Sequence, residues 1–489
     1  MMQKNLLTKN YEDSDLTFLQ SGCFLFKYDV SLRSFEKKVF MKKVILSMVI
    51  TFAVGSAWAQ QMIADSVQVD SKPVVNNQQS PSSIELNTKA VKFVPYGFIR
   101  NDFYFDSREN FETASGLFYI IPKDRELNAF GEDINEITSS RFLSIATRLG
   151  LKVYAQKPIL GAELMAQVET DFAGFSTNTT MFRIRQAYMK MSWKKWDLTL
   201  GQTWHPMFGE VVPEIQSLAT GSPFQPFNRS PQLRLDWKLS KTVRVYLAGL
   251  YQLQYTSWGP EGGSTAYQNH GKVPELYFGL DWKKNGWIVG AGADLLHIHP
   301  REVVEVEVKV NADSSYRYRH TVDEKLTSLS LTAFMKYTTP NKKFSIRAKT
   351  VYGENMSHLL LLSGYGVSKV LPDGSFEYTN IRNSTSWMNI VYGDKWQVGF
   401  FAGFMKNLGS DDKLYSHSPE TTYIFGYNNL DKVFRLSPML CYNLKRWTFG
   451  VEYEMTSAFY GDLKLETGKV ENTHQVTNHR AVAVMMFNF

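Results

Sequence analysis

TNHRAVAVMMFNF, Thr477 to Phe489, is the stretch that decides the fold. Ala481, Ala483, Met485, Phe487 and Phe489 share one face at a spacing of two, the period of an extended strand, and the last residue is a bare aromatic. A soluble domain ending this way would leave an apolar strand edge open to pairing with other chains. A closed membrane barrel uses it: the strand pairs with the first one, and its apolar face meets lipid. So short a stretch sets only an expectation, which the rest of the chain has to repeat.

It does. From Val94 onward, candidate strands of about ten residues recur, and their connections alternate between short and long. The short ones are turn-like: Gln156-Lys157-Pro158, Lys194-Lys195, Leu239-Ser240-Lys241, Lys284-Asn285-Gly286, Thr339-Pro340-Asn341-Lys342, Gly393-Asp394-Lys395 and Lys445-Arg446. The long ones run roughly over 106–140, 173–181, 205–230, 255–273, 299–324, 353–380, 408–429 and 460–476. Seven short turns and eight long loops require about sixteen strands with both ends on the short-turn side, as in bacterial single-chain barrels. The expected fold is all-β: a transmembrane antiparallel β-barrel of about 16 strands, residues 94–489, with short periplasmic turns and long extracellular loops. A sandwich or propeller would not keep such a one-sided alternation for so long.

Single strands agree unevenly. Leu143, Ile145, Thr147, Leu149, Leu151 and Val153 share one face, while Ser144, Ala146, Arg148, Gly150 and Lys152 share the other. Leu160, Ala162, Leu164, Ala166, Val168, Thr170 and Phe172 alternate with Glu163, Gln167, Glu169 and Asp171. Both read as lipid-out and water-in. Phe182 to Trp193 breaks the pattern, because Gln186 and Lys190 fall in phase with Ile184 and Tyr188, which points to a bulge or a subunit contact. Trp193, Trp196, Trp237, Trp282, Trp287, Trp396, Trp447 and Phe489 cluster near strand ends, mostly beside short turns, as an interfacial girdle would. A hydrophobic content of 44% with a mean hydropathy of −0.26 fits strands that are apolar on one face only. No run of about 18 apolar residues follows residue 60, so a membrane-spanning helix is not available.

The start of the chain reads as a processing region. Met41 to Gln60 carries Lys42 and Lys43, an apolar core from Val44 to Val54 and the small-x-small site Ala57-Trp58-Ala59, which together make a secretory signal over 41–59. Residues 1–40 then read as an upstream extension from a misassigned start, and 60–93, polar and rich in Ser, Gln and Asn, as a flexible periplasmic segment. Without residues 1–59, which hold Cys23, only Cys441 remains, so no internal disulfide can form. Their removal takes eight Lys/Arg and five Asp/Glu and brings the formal charge from +7 to +4. Basic residues are scattered strand by strand, which excludes nucleic acid as a partner on compositional grounds.

Inside such a barrel, basic residues on the water-facing phase line a passage. The candidates are Arg148 and Lys152, Arg183 and Arg185, and Arg234, with Arg244, Arg347 and Lys349 further along. Fixed guanidinium groups in a narrow passage attract anions and hold carboxylates bidentately, so the expected bias is towards anionic solutes. The competing expectation is that Asp102, Glu163, Glu169, Asp171, Glu452 and Glu454 pair with these bases and stiffen the wall. The connection from His205 to Ser230 contains Pro206, Pro213, Pro223 and Pro226, which suits a stiff segment folded inward as a constriction, with Glu210, Glu214 and Arg229 facing the permeant.

Four segments carry a family resemblance: YGFIRNDFYFDS (Tyr96 to Ser107), SRFLSIATRLGLKV (Ser140 to Val153), FRIRQAYMKM (Phe182 to Met191) and LGQTWHPMF (Leu200 to Phe208). They are similar to the corresponding segments of DcaP-like trimeric porins. The final phenylalanine resembles the signature by which barrel-assembly machinery recognises its clients. The resemblance implies a sixteen-stranded homotrimer in the outer membrane of a Gram-negative bacterium, in contact with lipid and lipopolysaccharide. It further implies uptake of small anionic or polar solutes through an arginine-lined eyelet. Arg148, Arg183 and Arg185 match its basic wall positions, and the segment after Gln202 its inward loop. Gln61 to Lys92 departs from it, lacking the heptads of that family's periplasmic coiled coil.

The rival readings are a surface adhesin or receptor and a barrel-embedded hydrolase. Tyr251, Tyr255, Trp258 and Tyr267 near loop bases suit the first. For the second, His297-Ile298-His299 puts two imidazoles on one face of a strand end, with His205, His270 and His320 on the same side, but no third ligand is identified. No nucleophile elbow, zinc-protease helix or phosphate loop occurs, so neither an enzyme nor a metal or other cofactor is expected. An energy-coupled transporter would need a plug domain before the first strand and about 22 strands.

Overall fold

The computed structural model describes residues 86–174, 180–311, 314–418 and 421–489. The expectations for residues 1–40, for 41–59 and for most of 60–93 lie outside the described residues. Sixteen barrel strands follow one another: β1 Val91–Asp106, β2 in two pieces Ser139–Leu143 and Arg148–Ala155, β3 Glu163–Asp171, β4 Arg183–Ser192, β5 Trp196–Trp204, β6 Arg229–Lys238, β7 Val243–Leu250 and β8 Glu275–Lys284. The second half is β9 Trp287–Ile298, β10 Leu326–Thr338, β11 Phe344–Glu354, β12 Phe376–Gly393, β13 Trp396–Ser410, β14 Leu430–Leu444, β15 Trp447–Lys464 and β16 Lys469–Asn488. Each pairs antiparallel with its neighbours in sequence, and β1 closes the ring on β16 from Phe98↔Asn488 to Asp106↔Arg480. Strand β1 starts at Val91, three residues before the expected boundary.

Alternation builds the wall. In β8, Leu276, Phe278, Leu280 and Trp282 are exposed on the outside, while Glu275, Tyr277, Gly279 and Asp281 are buried on the inside. Leu233 and Leu235 on β6 and Leu247 on β7 extend the same outer face, and water is the wrong solvent for such a face. Trp196 stacks on Trp237 with ring centres 5.2 Å apart, and Trp287, Trp396 and Trp447 stand exposed beside the short turns, as the girdle requires. Asn285-Gly286 makes the two-residue turn between β8 and β9 with both φ positive (51° and 83°), the conformation that matches strand twist.

The long connections do not all leave the barrel. Loop 1 (107–138) carries a small hairpin, Asn110–Thr113 against Phe118–Pro122, and loop 6 (355–375) carries a single 3-10 turn, Ser357–Leu359. Phe118 and Ile121 from loop 1, with Phe208, Val211, Phe224 and Phe227 from loop 3 (205–228), form an apolar core with the wall residues Phe334, Trp387 and Phe401. Leu362 of loop 6 joins this core and Tyr255 packs against it, so among the described residues several loops share the interior, where the sequence reading expected one. Of the aromatic residues read as loop bases, Tyr255 packs against Phe118 and Phe227 and Tyr267 is buried, whereas Tyr251 and Trp258 stay exposed.

Candidate functional site

Strands β2, β3 and β4 make the most charged part of the inner wall. Register sets it: Arg148 lies opposite Asp171, Gly150 opposite Glu169 and Lys152 opposite Gln167, so these side chains share the inner face. Between β3 and β4 the pairing slips, with Thr170 opposite Ile184 but Glu169 opposite Gln186. Arg185 is the extra residue of a bulge, which is why the phase of 182–193 looked mixed. The bulge turns Arg183, Arg185 and Gln186 all inward. Gln202 Nε2 on β5 donates to the carbonyls of Ile184 and Arg185 at the bulge (3.3 and 3.2 Å).

Two carboxylates collect these guanidinium groups. Arg183 grips Asp171 through Nε and Nη2 (2.7 and 3.1 Å), and Arg185 bridges Glu169 and Asp171 (2.9 and 2.7 Å). Arg148 stands 3.6 Å from Glu169 and lies over the Phe98 ring. Lys152 sits over the Tyr96 ring, whose hydroxyl donates to Glu169 (3.1 Å). Arg229 is not on the loop as expected: it begins β6, opposite Trp204, and is fully buried. Its guanidinium lies over Trp204, as that of Arg185 does, and its Nε donates to Gln254 (2.7 Å), while Nη1 and Nη2 have no hydrogen-bond partner among the described residues.

Loop 3 crosses the interior to reach this wall and the others. Glu210 takes Arg244 of β7 (2.9 Å) and Lys283 of β8 (2.6 Å). Burial disfavours its ionised form, but the hydrogen bonds and charge of Lys283, then Arg244, outweigh this and hold the carboxyl below the usual range. Glu214 pairs with Arg347 of β11, and its backbone N–H donates to Asn389 of β12 (2.9 Å). Gln216 and Ser217 donate backbone N–H groups to Glu452 of β15, and the Gln216 carbonyl accepts from Arg100 of β1. Lys349 of β11 does not line a passage: it is buried and donates to the carbonyls of Met207 and Phe208 (2.9 and 2.6 Å). Two wall glycines make room. A Cβ on Gly403 would fall 2.5 Å from the Phe224 ring, and one on Gly450 2.3 Å from Gln216. Between the loop and β4–β8 remains a cavity of about 220 Å³, lined by Lys190, Trp204, Glu210, Arg234, Arg244 and Asp281 among others.

Of the residues chosen from sequence, Arg148, Lys152, Arg183, Arg185 and Arg229 form one group around Glu169, Asp171 and Trp204. Arg234 and Glu210 belong to the cavity, Arg234 being paired with Asp236 (2.7 Å) and laid over Tyr246. Sequence reasoning missed Arg435 and Arg480, both fully buried. Arg435 donates to the carbonyls of Ser222 in loop 3 (2.8 Å) and Ile120 in loop 1 (2.9 Å), and Arg480 to Gly116 in loop 1 (3.0 Å) and to Asp106. A lone arginine at an inward strand position was the available signal; nothing marked it as a staple rather than a lining residue. His297 and His299 do meet, with ring centres 5.6 Å apart, and His270 and His299 both approach Glu302 at 3.5 Å.

Over 83% of this chain and 99% of the other, the structure superposes on the outer-membrane channel DcaP of Acinetobacter baumannii with a TM-score of 0.59 and 17% sequence identity. The fold is that of DcaP. At this identity the likeness concerns the DcaP fold alone, a closed sixteen-stranded barrel of the outer-membrane type, and a barrel of that build resides in the outer membrane of a Gram-negative bacterium. Looser superpositions are found with the outer-membrane protein OmpT of Vibrio cholerae (TM-score 0.49, 10% identity, 83% of this chain and 100% of that one) and with OmpF of Salmonella typhi (0.44, 10%, 83% and 100%). No family model matches the sequence, and no curated protein does. The segments that carried the resemblance to DcaP-like porins lie on β1, β2, β4 and β5 and the start of loop 3.

Proposed function

We propose that this chain, once its signal at 41–59 is removed, is a passive outer-membrane porin for small hydrophilic solutes with a preference for anions, carboxylates above all. The supporting observation is a charge imbalance on the inner wall. Arg148, Lys152, Arg183 and Arg185 gather around only two carboxylates, Glu169 and Asp171. Pairing consumes part of the field, as the competing expectation held, but a surplus of two positive charges remains. Loop 3, pinned through Glu210 and Glu214, narrows the passage beside it. A homotrimer is part of the proposal: Asn101 and Ser144 form a polar pair among exposed apolar residues such as Ile99 and Phe142, a better fit to a subunit contact than to lipid.

Single-channel conductance of the purified protein in a planar bilayer under a salt gradient tests this. Triplet steps with an anion-biased reversal potential support it. With loops 1, 3 and 6 all inside, the conductance should be small for a sixteen-stranded barrel. A folded protein that gives no steps would have a sealed lumen, and the adhesin reading would take over.

A further inference from the structure

Four side chains that passage does not use meet behind loop 3. His205 follows β5 directly, Glu275 opens β8, Asp294 lies on β9 and His358 sits in the 3-10 turn of loop 6. None is more than 2% exposed. Nε2 of His205 and Nε2 of His358 lie 2.9 and 3.0 Å from the same oxygen, Glu275 Oε1, and Asp294 Oδ1 is 3.8 Å from His205 Nε2. Ligand atoms around a tetrahedral zinc ion with bonds of about 2.0–2.1 Å stand roughly 3.3 Å apart, so these spacings are close to the edges of such a site.

Charge points the same way. Glu275 and Asp294 are two buried carboxylates that both approach His205 Nε2, and among the described residues neither has a Lys or Arg partner. Among the described residues, Glu275 Oε2 and Asp294 Oδ1 accept no hydrogen bond. A buried carboxylate is costly unless a positive charge or a full set of donors meets it. One divalent ion would neutralise both and occupy the idle lone pairs.

We propose that His205, His358 and Glu275, whose ligand atoms lie within 4.8 Å of one another, form a buried site for a divalent transition metal with Asp294 at its edge, zinc being the best match to two imidazoles and a carboxylate. The ion would tie the start of loop 3 and the turn of loop 6 to the barrel wall. These loops already touch through Phe227 N–H to Leu359 O (2.8 Å) and Asn228 Nδ2 to His358 O (2.9 Å). Entry is available from the cavity of about 220 Å³, which His205 lines. Loading carries a proton shift. His205 Nδ1 now accepts the Met207 N–H (3.1 Å), so its proton sits on Nε2. As Nε2 takes the metal, that proton moves to Nδ1, and the Met207 N–H must turn away. Metal occupancy is thereby coupled to the turn that Lys349 holds through the Met207 carbonyl.

The test uses the full chain extracted in detergent, without an affinity histidine tag. Metal content is measured by mass spectrometry, then again after chelation and reloading with Co²⁺, whose visible absorption reports tetrahedral nitrogen and oxygen ligation. The expected result is about one ion per chain, lost in His358→Gln, which keeps an amide donor towards Glu275, and retained in His299→Ala, which removes a partly exposed competitor cluster. His205→Gln replaces His358→Gln if the latter fails to form a heat-resistant barrel. Wild type that binds no stoichiometric Zn²⁺ or Co²⁺, even when refolded in its presence, would overturn the site. So would an ion that survives both glutamine variants or disappears with His299→Ala.

Discussion

Removing Arg183 and Arg185 together, as Arg183→Ala with Arg185→Ala, takes two of the four cations gathered around Glu169 and Asp171. The surplus on that wall falls from two positive charges to none. An ion passing at roughly 7 Å in a water-filled lumen feels each charge by about 0.6 kcal/mol, which salt near 0.1 M roughly halves. Two charges therefore amount to about 0.6 kcal/mol, close to a threefold fall in local anion occupancy with a matching rise for cations, or roughly tenfold in the permeability ratio. The assay is the zero-current potential of the double variant in a bilayer under a salt gradient, read beside wild type. Adding Glu169→Gln and Asp171→Asn restores the surplus to two, and this quadruple variant should return to wild-type selectivity. An unchanged potential in a well-folded double variant, or a quadruple variant that stays with the double, would refute the idea that net wall charge sets selectivity.

Lys349→Met leaves the carbonyls of Met207 and Phe208 buried without their donor and should cost about 1–3 kcal/mol, seen as a lower unfolding temperature and as flickering of the channel current. Arg435→Leu removes the staple shared by loops 1 and 3 beside the buried Glu454; a loss of about 3–5 kcal/mol and new protease cleavage in both loops are expected, and protease resistance equal to wild type would argue against stapling. Gly403→Val drives a side chain into the space of the Phe224 ring, so loop 3 should lift and conductance increase; an unaltered conductance would mean that this loop does not limit flow.

The barrel was legible because its determinants are periodic. A lipid-facing strand must be apolar at every second residue, and the short turns must carry residues that tolerate tight geometry, so β8 and the Asn285-Gly286 turn announce themselves locally. Seven short turns and eight long loops counted along the chain become sixteen strands in the structure. Where the period failed, it failed for physical reasons. At 182–193 the insertion of Arg185 aims polar side chains into the lumen. At 144–147, where β2 is interrupted, the phase shifts, so that Leu143 faces inward opposite Asp102 and Ser144 outward beside Asn101, the reverse of the expectation. The boundary at Val91 was less legible, since the residues before Val94 alternate too briefly to stand out from the polar segment preceding them.

The site was legible only in part, because its electrostatics are differences between residues far apart in sequence. Arg148, Arg183 and Arg185 could be placed on inward faces from phase alone, yet whether each is free depends on Glu169 and Asp171 across a slipped register. Similar inward arginines on β14 and β16 have another task altogether. Arg435 and Arg480 bind loop carbonyls, and nothing in a strand's own sequence says which loop will arrive above it. The glycines repeat the point from the opposite side: Gly403 and Gly450 read as weak strand positions, but they are the recesses that accept Phe224 and Gln216. A barrel wall can be read strand by strand, whereas what fills the barrel is chosen by contacts across it, so a lumen must be argued from pairs of residues rather than from any one strand.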